Sequence, residues 1–226
     1  MVDTLLSAHP WRHLRWLVLA PHPDDETLGA GALIAQAAAY GRLAGVVYLT
    51  DGSGSHGDDC PPACNLVSMR KREAAHAMFR LTGSRSCGPV HLGWKDAAPA
   101  APETTAFLAT TRKVAALCNR LKVDAIAVTA LHEPHCDHVA AAMLAYAVHA
   151  MAKRSILVAE YVVWAAAPER RTCRVLRTET MLPGTRRHAL RAHRSQLTAS
   201  YGPGFRLAIA QQRMPDRDTL FLRRSR

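Results

Sequence analysis

At 226 residues the chain is long enough for one well-buried α/β domain and too short for two. Its formal charge of +11 points to an anionic partner or a solvated arginine-rich surface, but aromatics do not alternate with the basic residues and no nucleic-acid-binding module is legible. The apolar runs are broken by charge or glycine, so no transmembrane span is expected. The N-terminus lacks the basic, apolar and cleavage segments of a secretion signal, from which a cytoplasmic location is expected.

Residues 1–15 have no clear periodicity and read as a lead-in helix or a packed arm. Trp16 to Ala20 reads as the first buried strand and Thr27 to Tyr40 as the first helix, whose Gly29, Ala30, Gly31 and Ala32 allow close packing on a sheet. Gly41 ends that helix, and Val46 to Thr50 is the second strand. A polar loop from Asp51 to Leu66 follows, of the kind that covers active sites in α/β folds; its His56 is expected to face solvent. Ser68 to Leu81 reads as a helix, Pro89 to Leu92 as a weak third strand, Thr104 to Leu121 as a helix and Ala125 to Thr129 as the fourth strand. Val139 to Ala152 is an alanine-rich helix, and Ile156 to Trp164 has strong strand character. Beyond it, Cys173 to Thr178 reads as a strand, Pro183 to Thr198 as an arginine-bearing helix and Phe205 to Ile209 as a last strand. This alternation argues a three-layer α/β/α sandwich on a mostly parallel, Rossmann-like sheet, with no repeat or boundary inside a single domain spanning 1–226. The six cysteines are irregularly spaced, as in a reduced chain; Cys60 and Cys64, four apart around two prolines, could form a disulfide or a weak metal pair.

Two clusters carry the chemistry. Ala20-Pro21-His22-Pro23-Asp24-Asp25-Glu26-Thr27 follows the first strand, and His132-Glu133-Pro134-His135-Cys136-Asp137-His138 follows the fourth. The carboxyl ends of strands are where α/β sheets bind ligands, so the two could close on one metal ion. His22 and Asp25, three apart in a turn, with His138 from the other loop, make two imidazoles and one carboxylate, the donor set of a catalytic zinc centre with an open position. Non-haem iron takes the same set, though its usual oxygenase scaffold is all-β. Asp24 is then free to deprotonate a metal-bound water that attacks a carbonyl. On an extended loop Asp137 faces away from His138 and is expected to orient His135, which, protonated, would stabilise the oxyanion or assist the leaving amine. Alone, each cluster has a plainer reading: acids in a helix's first turn, or surface histidines near a helix start.

The stretch Ala20 to Glu26 resembles the Ala-His-Pro-Asp-Asp-Glu hallmark of the PIG-L/LmbE family of zinc-dependent N-acetylglucosaminyl deacetylases, with Pro21 preceding the histidine, and His135-Cys136-Asp137-His138 resembles its His-Pro-Asp-His. The resemblance implies His22, Asp25 and His138 as zinc ligands, Asp24 as base, His135 as its electrostatic or acid partner, and an LmbE-like fold. It extends to Thr50-Asp51-Gly52, to Arg70 and Glu73 as an Arg-x-x-Glu motif whose arginine reaches the substrate, to Asp96 as a sugar-hydroxyl contact, and to Ala189, His193, Ser195 and Gln196 with Arg186. Cys136 departs from the usual proline. The activity implied is removal of an acetyl group from a small amino-sugar conjugate, with a phosphorylated or nucleotide-linked sugar left open by the basic surface. The rival is a basic carbohydrate- or polyanion-binding protein that retains an inert metal site. A Rossmann nucleotide enzyme fails because Ile34 stands where the third glycine is needed, and a serine hydrolase fails for want of a Gly-x-Ser-x-Gly elbow.

Overall fold

The computed structural model describes residues 3–56, 65–86 and 88–224, so Cys60, Cys64, Cys87 and most of the loop after Asp51 lie outside the described residues. Eight strands form one sheet: β1 (Thr4–Leu5), β2 (Trp16–Ala20), β3 (Leu43–Thr50), β4 (Val90–Trp94), β5 (Ala125–Thr129), β6 (Leu157–Tyr161), β7 (Cys173–Arg177) and β8 (Thr219–Arg223). Their order is β1-β7-β8-β6-β5-β2-β3-β4. β8 runs antiparallel to β6 and β7, and the other pairings are parallel.

Strands β2 and β5 are buried at every position because both faces are covered. In β2, Trp16, Val18 and Ala20 pack on one side with Leu33 and Ile34 of α1 (Asp25–Ala39), Met78 and Leu81 of α2 (Leu66–Thr82) and Ala189 of α5 (Thr185–Leu190). Leu17 and Leu19 pack on the other with Val114 and Cys118 of α3 (Thr105–Leu121) and Leu144 and Val148 of α4 (Cys136–Met151). The result is the three-layer sandwich expected. Gly29 is needed where α1 crosses β6, since a Cβ there would lie 2.2 Å from the Tyr161 ring.

The lead-in takes the second of its two expected forms, and two later segments differ from expectation. The lead-in is a packed arm, with β1 on β7 and a 3-10 turn at Trp11–His13. The helix expected over Pro183 to Thr198 is split into α5 and the short α6 (Arg194–Leu197). Phe205 to Ile209 forms no strand; the last strand is β8, from a Leu-Phe-Leu run nearer the C-terminus.

β2 and β5 are neighbours in register, Leu19 opposite Val128. From β2 the chain crosses to β3 on one side, and from β5 to β6 on the other. Their carboxyl ends therefore flank a topological switch point, where ligands bind in open α/β sheets. Both sequence clusters begin there.

Candidate metal centre

Pro21 after β2 is pinned to β3, its carbonyl accepting both the amide (3.0 Å) and the hydroxyl (3.0 Å) of Thr50. The next residues close a tight turn in which the His22 amide donates to Asp25 Oδ2 at 3.0 Å. Asp24 takes φ 139°, a strained region for a residue with a side chain. It is held there because its amide donates to Glu26 Oε2 at 2.8 Å and its carbonyl accepts from Thr27 (3.0 Å) and Leu28 (2.9 Å). Glu26 is itself buried and paired with the buried His193 at 3.1 Å.

On the β5 side, α4 starts at Cys136, three residues earlier than the sequence suggested, with His135 as its N-cap. His135 Nδ1 accepts the Asp137 amide at 3.2 Å. Asp137 and His138 are thus in a helical first turn, not on an extended loop. Asp137 consequently lies on His22, its Oδ2 3.0 Å from Nε2, and 3.9 Å from His135 Nδ1. It also accepts the Ala97 amide at 2.8 Å.

His22 Nδ1 lies 3.1 Å and His138 Nε2 3.2 Å from the same Asp25 oxygen, Oδ2. These ligand atoms lie within 4.8 Å of one another. A second grouping at that spacing, His22, Asp96, His135 and Asp137, shares His22. In the first grouping each imidazole turns its other nitrogen to a carboxylate: His22 Nε2 to Asp137, and His138 Nδ1 to Glu133 at 3.2 Å. That is the outer arrangement of metal-ligating histidines, and two nitrogens with one oxygen suit a divalent ion, so the residues fit one.

Glu133 is the functional residue that sequence reasoning left without a task. Besides orienting His138, its Oε1 accepts the amides of Val163 (2.7 Å), Trp164 (3.2 Å) and Ala165 (3.2 Å), tying the segment after β6 to the centre.

Arg70 and Asp96 are also at the site. Arg70 is buried, donating to the carbonyls of Gly52 (2.9 Å) and Pro23 (2.7 Å), with Asp24 Oδ2 at 3.6 Å. Gly52, at φ 68°, has no room for a side chain, because a Cβ would come within 2.6 Å of the Arg70 guanidinium. Asp96 Oδ1 lies 3.2 Å from His22 Nε2 and its Oδ2 accepts the Gly54 amide at 3.0 Å, so it braces His22 as well as facing the cleft. Glu73 does not enter the cleft; it accepts the amide (2.9 Å) and hydroxyl (2.6 Å) of Ser195. His56 is buried rather than solvent-facing and is bridged to Gly204. Cys136 is exposed, with Sγ 3.8 Å from Asp137 Oδ1.

The charges are strongly biased. Burial lifts the Asp24 carboxyl to about 7, with Arg70 pulling the other way and Asp25 adding to the rise. Burial would raise Asp25 too, but His138 and His22 hold it well below the usual carboxylate range. Burial lowers His22, yet Asp137, Asp25 and Asp96 outweigh it and the ring stays well above the ordinary imidazole range. His135 is lowered, first by burial and then by His22 and His138. The cleft over this centre has a volume of about 230 Å³ and is also lined by Trp164, Gln196 and Phe205.

The family model described as "PIG-L: GlcNAc-PI de-N-acetylase" matches residues 17–149, which include both clusters. Among curated proteins none matches. Among solved structures the chain is similar to N,N'-diacetylchitobiose deacetylase from Pyrococcus horikoshii, at 18% identity over 84% of this chain and 73% of that one, TM-score 0.64. A conserved protein from Thermus thermophilus is 26% identical over 82% of this chain and 81% of its own, TM-score 0.59. A deacetylase of teicoplanin biosynthesis, solved with teicoplanin, is 17% identical over 93% of this chain and 99% of its own, TM-score 0.62. The solved structures share the fold, and the family match spans more than half of the chain and both halves of the metal centre: the chain belongs to the PIG-L family.

Proposed function

We propose that the protein is a zinc-dependent deacetylase that hydrolyses the acetamide of an N-acetylated amino sugar or its conjugate, releasing acetate and a free amine. One observation carries this reading: His22, Asp25 and His138 converge on a point beside a buried acid, Asp24, that is not needed to hold an ion. His22 Nδ1, Asp25 Oδ2 and His138 Nε2 would hold the metal, and ferrous iron is the alternative for the same donors. Such an ion polarises the amide carbonyl and makes water a better nucleophile at neutral pH.

The chain's residues do the rest. Asp24 takes the proton of the attacking water and returns it to the amide nitrogen as the C–N bond breaks; a carboxyl lifted to about 7 is matched to both transfers. The Asp137 amide occupies His135 Nδ1, which places the imidazole proton on Nε2, where it can donate to the carbonyl oxygen as charge develops. Asp137 and Asp96 fix the ring of His22, and Glu133 fixes that of His138. Arg70 and Asp96 face the substrate's hydroxyls. A binding protein with an inert ion would have no use for an acid held at φ 139°.

The Asp24→Asn variant tests the assignment. It should keep metal stoichiometry and lose activity on the order of 10²- to 10⁴-fold. Full activity in that variant would remove Asp24 as the base.

A further inference from the structure

Resting on the deacetylase reading, we infer that the substrate is uncharged beyond its sugar and carries an apolar or aromatic aglycone, which seats against Trp164 and Phe205. The cleft has two unlike halves. One half is polar, with Asp24, Asp25, Asp96 and Arg70 around the histidines. The other half includes an aromatic pair: the Trp164 and Phe205 rings lie edge to face, 6.4 Å between centroids at 74°. Phe205 is a 44% exposed ring on the lining of the cleft. Trp164 is backed by the apolar cluster of Leu28, Leu190 and Leu207.

Both rings are set by their backbones. The Trp164 amide is one of those tied to Glu133, so the aromatic wall and His138 share an anchor. The Phe205 amide donates to the Ser55 carbonyl at 2.6 Å, next to the bridge between His56 and Gly204. Gly204 cannot carry a side chain without meeting His56, since a Cβ would lie 2.6 Å from its ring. A fixed pair of rings loses little freedom when a flat group stacks on it.

Charge argues the other half of the inference. Among the described residues that line the cleft, Arg70 is the permanently charged cation. Its guanidinium already lies 3.6 Å from Asp24 and 4.0 Å from Asp96 and donates to two backbone carbonyls. A phosphate on the sugar would enter among carboxylates, beside one guanidinium already shared between two of them. The basic surface of the chain therefore does not make this a sugar-phosphate site.

The test compares kcat/KM for three N-acetylglucosamine compounds, the methyl glycoside, the phenyl glycoside and the 1-phosphate, with zinc-loaded wild type and Phe205→Ala. Phenyl should exceed methyl by about tenfold, from two ring contacts. The 1-phosphate should fall below methyl, and the phenyl-to-methyl ratio should collapse toward one in Phe205→Ala. A ratio near one in the wild type, a ratio unchanged in the variant, or a preference for the 1-phosphate overturns the inference. If no compound releases acetate, the deacetylase reading fails by itself, and calorimetry with the de-acetylated phenyl and methyl glucosaminides decides the subsite. Tighter phenyl binding that Phe205→Ala removes supports it, and equal binding overturns it.

Discussion

Glu133 and Glu26 do for the centre what its ligands cannot do for themselves. Glu133 fixes His138, and Glu26 holds the strained amide of Asp24. Glu133→Gln should weaken zinc affinity on the order of 10- to 100-fold, read by competition with a chromophoric chelator; unchanged affinity would mean that His138 needs no carboxylate to orient it. Protons compete for the same site. Burial opposes protonation of His138, but Asp25 and Glu133 hold its pKa at about 9 in the metal-free protein. At neutral pH that ring must lose a proton to ligate, so zinc affinity should climb with pH, by up to about tenfold per unit for each proton displaced, and level off above the raised value. Affinity flat from about pH 6 to 8 would contradict this protonation state. The residues of the centre were legible because the ligands are few, chemically distinctive and close in sequence. Their supports were not: Asp137 turns to His22 instead of His135 only because α4 begins at Cys136, and no local pattern separates that start from one three residues later.

Helix α1 is interrupted, and the interruption is filled by an ion pair. Ala30 leaves helical geometry at φ −132°, freeing backbone groups that Arg186 and Asp218 take up. Arg186 donates to the carbonyls of Thr27 (2.8 Å) and Leu28 (3.0 Å), Asp218 accepts the Leu33 amide (2.7 Å), and the two side chains meet at 2.5 Å with both buried. Arg186→Ala leaves a buried acid and two carbonyls without their donor, so unfolding free energy should fall by about 3 kcal/mol or more in denaturant titration. A loss below about 1 kcal/mol would show that the gap in α1 closes without the pair. At this scale the sequence reading was sound where apolar periodicity is long, as in β2, α1, α3 and β5, and failed near the C-terminus. The helical pattern over Pro183 to Thr198 breaks because tertiary contacts win: His193 is drawn to Glu26 and Ser195 to Glu73. Residues 205–209 carry a strand-like composition but no sheet edge receives them, since β8 already fills the place between β6 and β7.

Part of the basic surface lies away from the chemistry. The site lies at the carboxyl ends of β2 and β5. Arg15, Arg42, Lys122 and Arg154 lie before the amino ends of β2, β3, β5 and β6, around an open cleft shared with Asp124. Among the described residues no helix is long and apolar enough to cross a membrane. These cations lie at the opposite ends of the strands from the metal centre, and kcat/KM for a neutral amino sugar should change less than about twofold as salt is raised from low to physiological strength. A steep fall would place the surface charge in the path of the substrate. Metal-dependent release of acetate from an N-acetylated amino sugar is read by quantifying acetate and free amine together. The measurement takes chelator-stripped protein before and after zinc is restored, beside Asp24→Asn loaded with the same metal. Equal amounts of acetate and amine are expected, appearing only with the metal and nearly lost in Asp24→Asn. Release that persists in the stripped protein, or that Asp24→Asn leaves intact, would contradict that expectation.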